Sequence, residues 1–132
     1  MYLVIIGAGP VGNSLVERAL EAGHTAAVVE PDATLAQECA EEHDVLVLEM
    51  AISAETAAAE SHLADADAVI ATTADDSTNL MAMLLAQEAG VEKRTSTVNQ
   101  HSHLAIFRRL GVHILADPER LVAEHLLNIT ER

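Results

Sequence analysis

A glycine-rich turn near the N-terminus constrains the fold of this chain more than any other feature. The turn consists of Gly7, Ala8, Gly9, Pro10, Val11 and Gly12. It directly follows an apolar segment, Tyr2–Ile6, and opens an amphipathic one, residues 10–22, so it joins a buried strand to a helix. In that setting the first glycine allows the tight turn, the second lets a pyrophosphate approach the backbone, and the third lets the helix pack against the strand. We therefore expect a phosphate at the positive N-terminus of this helix. A purely structural turn is the alternative.

Apolar strands and helical segments alternate along the rest of the chain, which is typical of a parallel sheet with helices on both faces. The predicted strands are Tyr2–Ile6, 25–30, 45–48, Ala68–Ala71, a weak one at 95–98, and 112–115. The predicted helices are 10–22, 33–42 capped by Asp32, 53–62 capped by Ser53, 76–89 capped by Asp75 or Asp76, 102–110 opened by Ser102, and one that starts at Asp117-Pro118. Right-handed crossovers then give a single α/β domain over residues 1–132, a Rossmann-like doubly wound sheet of six strands in the order 3-2-1-4-5-6.

Charge excludes several classes of partner. The chain has 21 acidic and 7 basic residues and a formal net charge of -14, with Lys93 as its single lysine. Such a chain repels nucleic acids and anionic membranes. An acid excess with so little lysine resembles the proteins of salt-loving cells, so we expect a halophilic source, with an ordinary acidic protein as the alternative.

The sequence contains no segment with the pattern of a membrane span or a signal peptide. Glycine, proline or charge interrupts each apolar run before it reaches bilayer length, and the N-terminus has the pattern of a buried strand. Cys39 is the sole cysteine, so no internal disulfide can form. We therefore expect a cytoplasmic protein that is not itself embedded in the membrane.

Glu30 ends the second predicted strand, where a carboxylate can accept hydrogen bonds from both ribose hydroxyls of an adenine nucleotide. The same carboxylate would repel a 2′-phosphate, and Pro31 to Leu35 contain no Arg or Lys to offset that repulsion. NADP is therefore disfavoured. A helix-capping acid is the alternative role, since Glu30 and Asp32 both lie near a helix start. The two roles are compatible for different residues, with Glu30 for the ribose and Asp32 for the cap.

The fourth predicted strand is followed by a polar segment at the topological switch point, where ligands bind in such sheets. Thr72 and Thr73 can line the phosphate or distal nucleoside region, and Asn79 can hydrogen-bond back to the loop. Simple capping of the next helix by Asp75 or Asp76 is the alternative. The candidate nucleotide-binding residues are therefore Gly7, Ala8, Gly9, Pro10, Val11, Gly12, Glu30, Pro31, Thr72, Thr73 and Asn79.

Taken in order, these motifs resemble the RCK or KTN nucleotide-binding domain, the N-terminal domain of Trk-type potassium-uptake regulatory proteins. The resemblance covers nearly the whole chain and includes the glycine-rich turn, Glu30, and the segments 65–70, 73–76, 79–80, 109–112 and 117–120. It implies a cytoplasmic ligand-sensing module that controls potassium channels or transporters. It also implies a pocket for NAD(H), ATP, ADP or AMP, and assembly into dimers or larger rings.

The sequence departs from the family pattern in two places. Met50 and Ala51 stand where the family usually has a Gly-Asp pair near the adenine, and Thr97 stands where it often has an Arg or Lys towards the phosphates. Loss of a cation beside phosphate weakens binding, particularly of triphosphates. NAD(H) is the ligand we expect, with AMP, ADP and ATP as alternatives.

The leading hypothesis is a regulatory nucleotide sensor without catalytic activity, whose ligand biases the arrangement of two domains in a homodimer or ring and so acts on a membrane potassium transporter. The predicted last helix has an apolar stripe of Leu121, Val122, Leu126 and Ile129 that can supply the dimer contact or pack on the sheet. Two alternatives remain: an NAD-dependent oxidoreductase, and a degenerate fold that serves only for dimerisation. We expect no metal site, because His101 and His103 have no further ligands near them in sequence.

Overall fold

The computed structural model describes residues 1–132 and contains one six-stranded sheet in which all neighbouring strands are parallel. The strands are β1 (Tyr2–Ile6), β2 (Thr25–Val29), β3 (Leu46–Leu48), β4 (Ala68–Ala71), β5 (Lys93–Val98) and β6 (His113–Ala116). They pair in the order β3-β2-β1-β4-β5-β6, which confirms the predicted Rossmann-like topology. The order reverses between β1 and β4, so the carboxyl ends of these two strands flank the switch point.

Six helices connect or follow the strands. They are α1 (Pro10–Glu21), α2 (Ala33–Glu42), α3 (Ala57–Glu60), α4 (Asp76–Glu88), α5 (Leu104–Arg109) and α6 (Pro118–Thr130). Proline occupies the first turn of α1, where no backbone N–H is needed. Asp32 caps α2 by accepting a hydrogen bond from Leu35 N at 2.9 Å, and Asp75 caps α4 by accepting one from Ser77 N at 2.9 Å.

The core lies on both faces of the sheet, as a parallel sheet requires. One cluster of 16 buried residues joins β1, β4 and β5 to α4 and α5, with Phe107 and Met83 among its largest members. A second cluster of 9 buried residues joins β1 and β2 to α1 and α2, and includes Cys39. Burial raises the pKa of the Cys39 thiol, and nearby Glu42 and Glu30 raise it further, so this cysteine behaves as a small buried apolar residue.

The prediction of a helix over residues 53–62 is wrong. Only one turn forms there, α3, followed by a 3-10 turn at Leu63–Asp65. Ser53 is not the N-cap of α3. The residue before α3 is Thr56, and its side chain makes no capping hydrogen bond. His62 has a left-handed backbone (φ 52), so the chain turns sharply where a continuous helix would have run on.

The ends of several other elements differ from their predicted positions by a few residues. β5 starts at Lys93 rather than residue 95, since its parallel pairing with β4 continues to that end. α5 starts at Leu104 after a 3-10 turn at His101–His103, so the expected opening at Ser102 is also wrong. Glu30 lies just beyond the last residue of β2 instead of within the strand.

Helix α6 begins at Pro118, as predicted, but buries none of its residues. Its apolar side chains are largely exposed: Leu121 45%, Val122 61%, Leu126 59%, Leu127 57% and Ile129 46%. The stripe therefore does not pack on the sheet of the same chain. None of the helices combines the length and the apolar character that a bilayer crossing demands.

Candidate functional site

The three glycines of the glycine-rich turn differ in their backbone conformation and in the space around them. Gly7 has a φ of +105°, a conformation that side chains rarely adopt. A Cβ at Gly12 would lie 2.0 Å from Gly7 O, so only glycine lets α1 pack this close to β1. Gly9 differs from both: its φ is -71° and a Cβ there would meet nothing within 4 Å. Neither the backbone nor the packing requires glycine at Gly9, and the bare backbone faces open space at the N-terminus of α1.

The Glu30 carboxylate is held against the same turn. Its Oε1 accepts a hydrogen bond from Ala8 N at 2.8 Å and its Oε2 accepts one from Asp32 N at 3.0 Å. The residue is 7% exposed, yet it lines both of the cavities that flank the turn. Each carboxylate oxygen has two lone pairs, so each retains one acceptor site after these bonds. The carboxylate thus fixes the turn and can still receive hydrogen bonds from a ligand.

Two cavities lie at the carboxyl edge of the sheet. The first, which we call the β3-side cavity, has a volume of about 470 Å³ and is bounded by Glu30, Pro31, the loop 51–53 and residues of the β4–α4 segment. The second, the β5-side cavity, has a volume of about 430 Å³ and is bounded by Gly7, Gly9, Thr97, Asn99 and the first turn of α6. Glu30, Thr73 and Ala74 belong to both. The two cavities therefore meet directly above the glycine-rich turn.

The loop after β4 is fixed by buried hydrogen bonds. Thr72 Oγ1 donates to Ile6 O at 2.9 Å and lies only 2.8 Å and 2.9 Å from the positions that Cβ atoms at Gly7 and Gly12 would take. Asn79 is fully buried, and its Oδ1 accepts from Thr73 N at 3.1 Å and from Thr73 Oγ1 at 2.7 Å. Asn79 Nδ2 donates to Thr73 O and to Thr97 O. Asn79 thus hydrogen-bonds back to the loop, as the sequence suggested, and positions Thr73 at the junction of the cavities.

Most of the sequence-predicted residues come together at this junction. The β5-side cavity is lined by Gly7, Gly9, Pro10, Val11, Glu30, Thr72 and Thr73. The β3-side cavity is lined by Pro31, again with Glu30 and Thr73. Ala8, Gly12 and Asn79 line neither and lie behind the surface. Ala8 contributes its backbone N–H to Glu30, and Gly12 contributes close packing.

Sequence reasoning missed a buried carboxylate beside the site. Asp76, 6% exposed, accepts hydrogen bonds from Asn99 N at 2.8 Å, Gln100 N at 2.9 Å and Asn99 Nδ2 at 2.9 Å. His103 Nδ1 lies 2.7 Å from Asp76 Oδ2 and must carry the proton, since an ionised carboxylate only accepts. Burial opposes ionisation of Asp76, but the hydrogen bonds from Asn99, His103 and Gln100 outweigh it and hold the pKa of this carboxyl below its usual value.

Asn99 itself was also missed, although it directly follows β5 and the carboxyl ends of strands are where ligands bind. Its Nδ2 donates to Thr73 O at 3.0 Å, which ties the loop after β5 to the loop after β4. The weak strand pattern before it gave no reason to single out this residue.

The site is acidic and carries no cation in its walls. The residues that line the two cavities include Glu30, Asp75 and Glu119 but no Lys, Arg, His or Cys. Arg120 lines a smaller adjacent cavity of about 340 Å³, and its Nε lies 2.9 Å from Glu124 Oε1. No group of three or more His, Cys, Asp or Glu residues is arranged to hold a metal ion. Phosphate binding here must therefore rely on backbone N–H groups and the α1 dipole.

Comparison with known proteins gives one family and a set of curated relatives. The family model of the TrkA-N domain matches residues 3–118. A Trk system potassium uptake protein TrkA homolog from Methanothermobacter thermautotrophicus is 30% identical over 132 residues, which cover 100% of this chain and 61% of that protein. The Trk system potassium uptake protein TrkA of Halomonas elongata is 27% identical over 131 residues, which cover 98% of this chain and 28% of that protein. The chain thus spans less than two thirds of the length of these relatives.

Solved structures with the same fold include a channel and a domain of an inner membrane protein. The TrkA-N domain of inner membrane protein ybaL from Escherichia coli superimposes with a TM-score of 0.81 at 22% identity, covering 97% of this chain and 95% of that one. The GsuK channel bound to NAD gives 0.74 at 19% identity, covering 86% of this chain and 21% of that one. The Shewanella denitrificans Kef CTD in AMP-bound form gives 0.77 at 18% identity, covering 98% and 80%. At these identities the similarity supports the fold alone.

Proposed function

The chain belongs to the TrkA-N domain family, and from that premise we propose that it is a nucleotide-sensing regulatory domain of a potassium-uptake system. The curated relatives are Trk potassium uptake proteins, and structural neighbours include a channel bound to NAD and a Kef domain bound to AMP. Binding of an adenine nucleotide would favour one arrangement of paired domains over another and so act on a membrane partner.

The observation that carries this proposal is the bare backbone at Gly9. A glycine that neither its φ nor its neighbours require is explained if a ligand must approach the N-terminus of α1 more closely than a methyl group would allow. The free N–H groups there favour a phosphate, and the β3-side and β5-side cavities extend from this point in opposite directions.

We assign the adenosine half of the ligand to the β3-side cavity and the other half of a dinucleotide to the β5-side cavity. Glu30, at the junction, would receive the ribose hydroxyls on its remaining acceptor sites. NAD(H) fits both cavities, and AMP or ADP would fill the first. ATP is disfavoured because the walls have no cation for a third phosphate, and NADP because its 2′-phosphate would face Glu30.

We further propose that the domain is not an enzyme. General acid–base chemistry beside a cofactor most often uses a histidine, and the side chains lining the cavities include no His, Lys, Cys or Tyr. Steady oxidation of NADH with a small carbonyl substrate would refute this proposal.

Calorimetric titration of NADH, NADPH, AMP, ADP and ATP tests the proposal, with the Gly9→Ala variant as the decisive comparison. We expect NADH and AMP to bind the parent chain, and Gly9→Ala to lose at least about tenfold in affinity, about 1.4 kcal/mol. Because the added methyl meets nothing within 4 Å, the melting temperature should stay the same. Ser14→Ala, on the exposed face of α1, is the matched control.

Two results would count against nucleotide sensing. If none of the five ligands binds the folded chain, the domain serves assembly alone. If Gly9→Ala binds NADH as well as the parent does, the ligand does not approach the turn.

The partner and location follow from the same proposal. We propose that the domain works at the cytoplasmic side of a membrane potassium channel or transporter, as a homodimer or larger ring. The exposed apolar stripe of α6 supports an assembled state, because no other element of residues 1–132 covers it.

A further inference from the structure

A cluster of cations lies at the edge of the sheet opposite the nucleotide cavities. Lys93 and Arg94 begin β5, and Arg108 and Arg109 form the last turn of α5. These four residues are more than half of the 7 cations of a chain whose net charge is -14. We call them the basic corner.

The topology brings the two pairs together. α5 ends at Arg109, and the chain passes through Gly111 into β6, which starts at His113. Because His113 pairs with Thr95, the end of α5 arrives beside the first residues of β5. A Cβ at Gly111 would lie 3.5 Å from Arg94 Nη2, so the guanidinium sits directly against this turn. Lys93, Arg108 and Arg109 are all exposed around it.

Arg94 has unmet hydrogen-bonding capacity. Its Nε and Nη1 atoms are buried and have no hydrogen-bond partner. Arg94 pairs with Val69 across the sheet and so points to the face covered by α4 and α5, where Val69 belongs to the apolar core. Buried donors without partners are rare and costly, and more so on a charged group. The long side chain can relieve this cost by swinging outwards to an acceptor at the surface.

We propose that the basic corner is a docking surface for an acidic segment of a partner protein. Aspartate or glutamate carboxylates match the planar guanidinium fork and can accept two hydrogen bonds from it at once. Docking would supply hydrogen-bond acceptors for the Arg94 atoms that have no partner within residues 1–132. The exposed side chains of Lys93, Arg108 and Arg109 would add positive charge around the docked segment. The surface is distant from the nucleotide cavities, so this inference does not depend on nucleotide binding.

An extended segment suits the corner better than a membrane or another copy of the chain. An anionic membrane and a second copy of the chain each carry a large negative charge, and each would be repelled by the net charge of -14 of this protein. At about 0.15 M salt the Debye length is about 8 Å, so a short acidic peptide at the corner interacts with the local cations and little else.

Fluorescence anisotropy with a labelled peptide of alternating glutamate and glycine, in about 0.15 M potassium chloride, tests the proposal. We expect saturable binding to the parent chain. The double variant Arg108→Glu with Arg109→Glu should weaken it at least about tenfold. Arg18→Glu is the charge-matched control, since Arg18 is an exposed cation on α1, and it should leave the affinity within about twofold.

Arg94→Met separates docking from a structural role. Removing a buried charge without partners should leave the melting temperature equal or higher, while binding of the peptide becomes at least about tenfold weaker. A variant that melts lower and binds equally well would mean that Arg94 only supports the fold.

Four further results would overturn the proposal. The first is the absence of peptide binding to the parent chain. The second is an equal loss of peptide affinity for the Arg108→Glu, Arg109→Glu variant and for Arg18→Glu. The third is binding to phosphatidylglycerol vesicles or inorganic phosphate that is tighter than binding to the peptide and is lost on charge reversal at the basic corner. The fourth is salt-sensitive self-association in sedimentation velocity that the Arg108→Glu, Arg109→Glu variant abolishes, which would make a second copy the occupant.

Discussion

Glu30 combines two tasks within one carboxylate. It fixes the glycine-rich turn through Ala8 N and the start of α2 through Asp32 N, and it lines both the β3-side and the β5-side cavity. The sequence offered ribose binding and capping as alternatives for an acid at this position. The structure assigns the side-chain cap of α2 to Asp32, which leaves Glu30 with spare lone pairs towards the cavities.

The first prediction concerns the ribose role of Glu30. Two charge-assisted hydrogen bonds contribute about 1.5–3 kcal/mol each before solvation reduces them. We therefore expect Glu30→Ala to weaken NADH and AMP by about tenfold to a hundredfold. Glu30→Arg should lose NADH affinity and narrow the difference between NADH and NADPH, because the charge that repels the 2′-phosphate is gone. Calorimetric titration of the folded variants measures both effects.

Glu17→Ala, an exposed carboxylate on α1, serves as the matched control and should bind both nucleotides as the parent does. Circular dichroism must accompany the titrations, since Glu30 also holds Ala8 N. If folded Glu30→Ala and Glu30→Arg keep the parent affinities for NADH and NADPH, Glu30 is a structural residue and the ribose assignment is wrong.

The role of a single residue could be predicted where its residue type serves few purposes at a recognisable structural position. Gly7 and Gly12 fall into that class: the positive φ of Gly7 and the close packing at Gly12 match what a strand–turn–helix junction demands. The role of Asp76 could not be predicted, because an acid at the start of a helix is ordinarily explained by helix capping. Its actual partners, Asn99 and Gln100, come from a loop more than 20 residues away in sequence, and no local pattern links them.

At the scale of elements, Asp76 joins the N-terminus of α4 to the loop after β5. The lowered pKa of this carboxyl means that its ionised form is stabilised on folding. A carboxyl whose pKa falls on folding contributes stability above its unfolded pKa of 3.8. That contribution disappears as the pH falls through the folded pKa, so the junction of α4 and the loop should weaken in acid.

The second prediction follows from this junction. Asp76→Asn keeps the shape but sets an amide N–H₂ against donors, so we expect a loss of about 2–3 kcal/mol in the free energy of unfolding at pH 7. The difference from the parent should shrink below about pH 4. Urea denaturation at both pH values measures it, with the exposed Asp44→Asn as the control. A difference between Asp76→Asn and the parent that stays constant down to about pH 3 would show that the ionised carboxylate is not what stabilises the junction.

Elements with strong periodicity were predictable, and short ones were not. The amphipathic pattern and cap of α2 located it to the residue, since Asp32 supplies both the start signal and the bond. Residues 53–62 are rich in alanine and favour a helix by propensity, yet most of the segment is loop. Ile52 and Ala57 are buried in the core there, so tertiary packing overrides the local preference.

At the scale of the whole molecule, the exposed apolar stripe of α6 is the feature on which the proposed assembly rests. The third prediction is that the chain forms a homodimer through the α6 stripe. Burying one leucine contributes about 1.5–3 kcal/mol, so Leu126→Gln should weaken the dimer at least about tenfold. Sedimentation velocity in molar potassium chloride gives the dissociation constant. Leu84→Gln, a 41% exposed leucine on α4, is the control. A parent chain that is monomeric at every concentration contradicts the prediction.

The net charge of -14 sets the last prediction, which concerns stability against salt. Like charges repel each other more strongly in the compact chain than in the unfolded one, so the folded state is destabilised at low ionic strength. The Debye length falls from about 10 Å at 0.1 M to about 3 Å at 1 M salt, which leaves only contact pairs unscreened. The few ion pairs of the chain, such as Arg18–Glu21 and Arg120–Glu124, are exposed and contribute little that salt could remove. The melting temperature should therefore rise with potassium chloride.

Thermal melts from low to molar potassium chloride measure this effect, and sucrose at equal osmolarity separates screening from solvent exclusion. A second comparison isolates the charge: replacing several exposed glutamates of α1 and α2 by glutamine should raise the melting temperature at low salt and flatten its dependence on salt. The exposed carboxylates Glu17, Glu21, Glu38 and Glu41 are suitable because they line neither the β3-side nor the β5-side cavity. If the parent chain melts at the same temperature at every potassium chloride concentration, its charge does not limit its stability, and the case for adaptation to a salt-rich cytosol is lost.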